Sequence, residues 1–157
     1  MNVSPRGAIF KSVLVALALT LVPLPSWLAI ARPDFLVLVV FYWSIQTPRS
    51  GGIGLGWVCG LLLDAFQGPV LGEHALAVAL VAYLGVREHQ RIRTKPLLQQ
   101  ALMLLAVLVL YEFVLWAIDG WSGHPLTTPL RWVPAFTGAL LWPPVASVLA
   151  RTYRPRA

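Results

Sequence analysis

Residues 96–118 read PLLQQALMLLAVLVLYEFVLWAI. Across these twenty-three positions the sole charge is Glu112. A bilayer hydrocarbon core about 30 Å thick needs about 20 helical residues to cross it, with about 17 as a lower limit. The uncharged part alone, 96–111, falls short of that limit. The stretch reaches it when Glu112 is absorbed into the helix and the run continues through Phe113 to Ile118. The fold therefore turns on whether this chain keeps ionisable groups inside apolar helices.

Working outward from that stretch, charged residues and histidines cut the chain into six apolar runs, at 12–31, 35–48, 50–63, 75–86, 96–111 and 132–150. The first and last are long enough unaided. The middle three need flanking or intramembrane polar residues, and so read as short spans, interfacial pieces or parts of one folded hairpin. The expectation is an all-α polytopic membrane protein with one integral membrane domain over 1–157. Its spans fall near 10–30, 34–48, 50–67, 71–87, 96–118 and 131–151. Composition agrees: 58% of residues are hydrophobic and only 11% are charged, against roughly 25% charged in soluble domains. A soluble fold of 157 residues would leave large apolar patches exposed.

The cations give the sidedness. With six spans and the N-terminus inside, Arg6, Lys11, Arg49, Arg87, Arg91, Arg93, Lys95, Arg151, Arg154 and Arg156 fall on the cytoplasmic side, and only Arg32 and Arg131 on the other. That bias is the positive-inside pattern. It predicts a multi-pass protein of the bacterial inner (cytoplasmic) membrane with both termini cytoplasmic. Arg6, Lys11, the apolar stretch after them and the triplet Ala29-Ile30-Ala31 also fit a cleavable signal peptide. Cleavage would leave five spans and the C-terminus still inside. The same features suit a first anchor helix, which is the expectation adopted.

Candidate functional residues gather in the short middle runs. Gly52, Gly56 and Gly60 recur every four residues, and Asp64 continues the stripe. Residues four apart share a helix face, and small residues let membrane helices approach closely. The stripe is thus a packing seam within this chain or a docking face for a partner helix. Asp64, Glu73 and His74 converge at one end of the hairpin, as a hydrogen-bonded or ion-paired cluster fixing the turn 67–72. Ionisable groups in a membrane are functional candidates because they are costly there. Glu112 pairs with Arg32 or Arg131 or is protonated, and Asp119 shares its face two turns on.

The segment 87–95, with Arg87, Arg91, Arg93 and Lys95, reads as a cytoplasmic basic loop. It would anchor topology, attract anionic headgroups or meet a cytoplasmic protein. It is too short and too poor in aromatics for nucleic acid. Trp27, Trp43, Trp57, Trp116, Trp121, Trp132 and Trp142 mostly fall near span ends, as interfacial anchors do, and Pro143-Pro144 predicts a kink. Cys59 sits in an apolar run and reads as a small packed residue. No metal site is expected, since three or four ligands of fixed geometry are needed. No cofactor fingerprint, P-loop or HExxH is present, and no nucleophile has a positioned base, so the chain is not expected to be an enzyme.

An ordered set of short motifs carries a resemblance: Arg32-Pro33-Asp34-Phe35, Tyr42-Trp43, Pro48-Arg49 and the glycine-rich helix, then Gly60-Leu61-Leu62-Leu63-Asp64 and Leu71-Gly72-Glu73-His74-Ala75-Leu76. Val81-Ala82-Tyr83-Leu84, His89-Gln90-Arg91 and Gly138-Ala139-Leu140-Leu141-Trp142-Pro143 follow. Together they resemble the MreD family of rod shape-determining membrane proteins over nearly the whole chain. The resemblance implies a non-enzymatic component of the cell-elongation complex, or elongasome. Such a component binds MreC and through it joins MreB, RodZ, RodA and the transpeptidase that works with RodA, to organise lateral peptidoglycan synthesis and cell shape. It also implies a fold similar to the substrate-binding membrane subunits of vitamin (ECF-type) transporters, with a pocket near the outer face. On that basis Arg32, Asp34, Asp64 and His74, with Glu73 and Glu112, are the candidate pocket or partner contacts. A small-molecule-binding subunit of a transporter is the alternative function.

Overall fold

The structure, a computed structural model, describes residues 4–67, 70–124 and 128–153. Among these the chain is all helical. Six long helices stand one for one on the six apolar runs. Helix α1 (Pro5–Leu21) starts at Ser4, whose hydroxyl accepts from the Gly7 amide at 3.2 Å. It stops where Pro23 and Pro25 remove two successive helical donors. The expected span at 10–30 is therefore broken, and its last part is a separate short helix, α2 (Ser26–Ala29). Then follow α3 (Phe35–Gln46), α4 (Ile53–Gln67), α5 (Glu73–Arg93), α6 (Leu97–Trp121), a 3-10 turn (Pro129–Trp132) and α7 (Val133–Thr152). Gly72, at φ 98°, turns the chain into α5 in the left-handed region that glycine alone enters freely.

Helix α3 is the hub. All ten residues from Leu36 to Ile45 are buried, and α1, α4, α5 and α7 pack around it. A helix of twelve residues is only about 18 Å long, too short to cross a bilayer. Because Leu36 to Ile45 are buried among the other helices, its length is not set by the lipid thickness. Trp43 and Trp142 are both wholly buried in this core. Their indoles are satisfied there: Trp43 donates to the Ser12 hydroxyl at 2.8 Å and Trp142 to the Gln100 side chain at 3.2 Å. These two tryptophans are thus core residues and not the interfacial anchors expected from their positions.

The glycine stripe is spent inside the chain. A methyl group on Gly56 would stand 2.7 Å from the Ala82 Cβ and 2.9 Å from the Val78 carbonyl, and one on Gly60 would overlap the Ala75 backbone. Helices α4 and α5 thus meet backbone to backbone and antiparallel, in the packing that small residues permit. A partner helix has no access to Gly56 or Gly60, which fill the seam against α5, whereas Gly52 stands half-buried ahead of α4. On another side of α5, Gly85 lies against Ser44 of α3, whose hydroxyl donates to the Gly51 carbonyl at 2.7 Å.

The basic segment is also corrected. It is not a loop: α5 continues to Arg93, and Arg87 and Arg91 project from its last turns beside Glu88. No glycine or proline interrupts the chain until Pro96, and cations in a final turn are favoured by the helix dipole. Helix α7 likewise runs unbroken through Pro143 and Pro144.

Large apolar side chains face outward on several helices. Phe10 of α1 is 64% exposed, Trp57 of α4 46%, Leu102 of α6 63% and Leu140 of α7 78%. Helices α6 and α7 are long and apolar enough to cross a membrane. Large apolar side chains facing outward around a packed helical core are what lipid as solvent requires. Arg154 and Arg156, and Gly68 and Pro69 from the expected turn 67–72, lie outside the described residues.

Candidate functional site

Charge separates between the two ends of the bundle. Arg6, Lys11, Arg49, Arg87, Arg91, Arg93, Lys95 and Arg151 occupy the end where α1 begins and α5 and α7 finish. The opposite end holds Asp34, Asp64, Glu73, Glu112 and Asp119 with Arg32, His74 and Arg131. This acidic end contains every candidate pocket residue.

Asp64 is met by three backbone donors and one imidazole nitrogen. Its carboxylate, on the last turn of α4, accepts from the backbone amides of Gly72 (2.8 Å), His74 (2.8 Å) and Ala75 (3.2 Å), and the His74 ring nitrogen Nδ1 lies 3.0 Å away. The residue is 4% exposed. Gly72 stands at the cap position of α5 and has no side chain to close it, so the neighbouring helix supplies the oxygen atoms. A carboxylate at a helix N-terminus satisfies orphan amides and complements the helix dipole. Asp64 and His74 thus belong together, as expected, and clamp the α4–α5 hairpin.

Glu112 and Asp119 lie two turns apart on one face of α6, and Arg131 from the 3-10 turn holds both. Its Nε is 3.6 Å from Glu112, and its terminal nitrogen bonds Asp119. All three side chains are mostly buried. Of the two expected partners for Glu112, the structure selects Arg131. Arg32 turns the other way: it donates to the carbonyls of Leu19 and Val22 (2.8 Å to the latter). Leu19 has no helical donor because Pro23 stands four residues on, so the guanidinium closes the end of α1.

Asp34 opens α3 without capping it and lies beside the hydroxyl of Tyr111. A small cavity behind it is lined by Asp34, Tyr111, Glu112 and Gly138. Glu73 is buried next to His74, and its Oε2 has no hydrogen-bond partner among the described residues. An open recess of about 430 Å³ adjoins Glu112 and Arg131, with Ile30, Thr128, Leu130 and Pro134 as its walls. The site therefore consists of two tied polar knots with a recess against the second. Tyr111 was missed as a site residue, and Arg131 was expected only as one of two partners for Glu112. The signal for Arg131 was present, since two acids seven apart on one apolar helix require a counter-ion from another element.

Compared with known proteins, residues 3–152 match the family described as rod shape-determining protein MreD. The chain belongs to the MreD family. The rod shape-determining protein MreD of Haemophilus influenzae is 29% identical to it over 143 residues, which cover 89% of this chain and 86% of that one. No solved structure matches the chain. Membership makes it a membrane protein of a family that determines rod shape, and the match spans all seven helices. Both polar knots and the buried glycine seam thus lie within the MreD region.

Proposed function

We propose that this chain is a non-enzymatic, six-pass scaffold of the bacterial inner membrane that binds MreC in the cell-elongation complex. Through MreC it is linked to MreB, RodZ, RodA and the transpeptidase, and so to lateral peptidoglycan synthesis. Family membership over almost the whole chain is the observation that carries this reading. The geometry supports it in two ways. The polar groups Asp64, His74, Glu112 and Arg131 are spent on holding helices together, and the exterior is apolar on several helices, as a protein with helical membrane partners needs. The segregation of cations to one end supports cytoplasmic termini.

With the glycine seam closed by α5, MreC contact falls to the outward faces. The test is a photocrosslinking residue placed in turn at Val58, Leu102 and Leu140, one on each of α4, α6 and α7, in native membranes. A crosslink to MreC from at least one face is expected. Absence of MreC from all three and from the co-purified complex, with normal rods in cells lacking the chain, would overturn the proposal.

A second reading draws on the recess beside Glu112 and Arg131, which has the volume of a small-ligand site. It makes the chain a small-molecule-binding subunit of a transporter. Thermal stabilisation by a vitamin-like ligand, together with a neighbouring gene for a transporter ATPase, would favour it.

A further inference from the structure

Helices α1 and α7 both pack on α3 but make little contact with each other. Between them runs an open groove of about 620 Å³, floored by Phe35 and Val39 of α3 and walled by Val15 and Leu19 on one side and Val145 and Val148 on the other. Its lining is apolar except at one end, where Lys11, Ser12 and Thr152 stand. The groove follows α1 from Ala8 to Leu19 and α7 from Leu141 to Thr152. Each is eleven helical steps, or about 16 Å at 1.5 Å per residue. That is close to half of a hydrocarbon core about 30 Å thick, the depth of a single leaflet. Arg6 and Arg151 add positive charge at the Lys11 end.

Two features favour a lipid over a partner's helix. The small residues of the α1 lining are taken up inside the chain, Ala8 and Ala16 buried and Ser12 accepting from Trp43. The outward walls are therefore the larger Val15, Leu19, Val145 and Val148, with Val15 and Val148 both more than half exposed, where close helix packing would want small residues. And Lys11 is exposed at the polar end of the groove, where a helix packed over it would strip its ammonium of water. We propose that the α1–α7 groove binds an anionic phospholipid of the cytoplasmic leaflet, its acyl chain along Val39 and Val145 and its phosphate on the Lys11 ammonium. This rests on the topology proposed above, with the Lys11 end cytoplasmic.

The test is native mass spectrometry of the full chain released from nanodiscs of mixed phosphatidylglycerol and phosphatidylethanolamine. The wild type should retain phosphatidylglycerol preferentially. Lys11→Gln should lower that retention about fivefold, the equivalent of about 1 kcal/mol for one cation near a charged headgroup, and leave phosphatidylethanolamine unchanged. Val148→Trp, an exposed position that tolerates bulk, should lower both by obstructing the groove. Unchanged phosphatidylglycerol retention in Lys11→Gln would overturn the site. So would a photocrosslinker at Val145 that captures only protein in native membranes, since a partner helix would then be the occupant. The nanodisc measurement does not depend on sidedness. Labelling of Lys11→Cys from outside intact cells would instead overturn the leaflet assignment and, with it, the topology.

Discussion

Asp64 shows how a single carboxylate closes a hairpin. Replacing it with Ala leaves the Gly72, His74 and Ala75 amides unmet at the start of α5. The cost is expected to be about 2–4 kcal/mol, from a lost cap and lost charge-assisted hydrogen bonds. Asn keeps one acceptor oxygen and should lose roughly half as much; thermal unfolding in detergent measures both. Equal loss in the two variants would contradict the capping role. Arg131 poses a different test, because removing one partner of a buried pair leaves an uncompensated charge. Arg131→Met should destabilise by about 3–5 kcal/mol, and adding Glu112→Gln should recover part of that loss. If the double variant is no better than the single one, Glu112 does not depend on Arg131. The convergence of Asp64 with His74 was legible in the sequence, because a helix-stripe position met a tight turn. The choice of Arg131 over Arg32 was not. It depends on Pro23 leaving the Leu19 carbonyl without a donor, which turns Arg32 toward α1.

At the scale of elements, the α4–α5 seam is the closest packing that the glycines create. Gly60→Leu should abolish accumulation of the folded protein, since its side chain would occupy the α5 backbone. Gly56→Ala should fold but lose about 1–3 kcal/mol by overpacking against Ala82. Were both tolerated like the wild type, the two helices would not meet there. The helical tail of α5 gives a second expectation. Gln90→Pro should cost about 3 kcal/mol or more as an interior helical proline, whereas a loop would accept it, and thermal unfolding separates the two. Hydropathy located the six runs, and the prolines, glycines and charges between them set their ends to within a few residues in most cases. It misjudged three details. The first span breaks at Pro23, the basic segment is helical, and Trp43 and Trp142 are core. The first two follow from where the prolines stand, whereas the tryptophans depend on what packs against them, because an apolar run in a membrane protein looks the same whether lipid or protein surrounds it.

For the whole molecule, the arrangement is a buried short helix wrapped by longer ones, apolar outside, with acids and cations drawn to opposite ends. This explains how runs too short to cross a bilayer still belong to a membrane fold: α3 is buried among the other helices from Leu36 to Ile45, so lipid thickness does not set its length. The charge bias legible in the sequence became a spatial segregation once alternate helices reversed direction. Which outward face meets another protein was not legible, since every such face is built from the same Leu, Val and Phe. The proposed topology, six passes with the basic end cytoplasmic, is measured most directly by labelling with a membrane-impermeant maleimide. The labelling uses a Cys59→Ala background with single cysteines at Arg91 and at Ser122, next to the two opposite ends. Ser122→Cys should label in intact spheroplasts and Arg91→Cys only after the membrane is permeabilised. Labelling of both from the same side, or of Arg91→Cys alone from outside, would contradict the account.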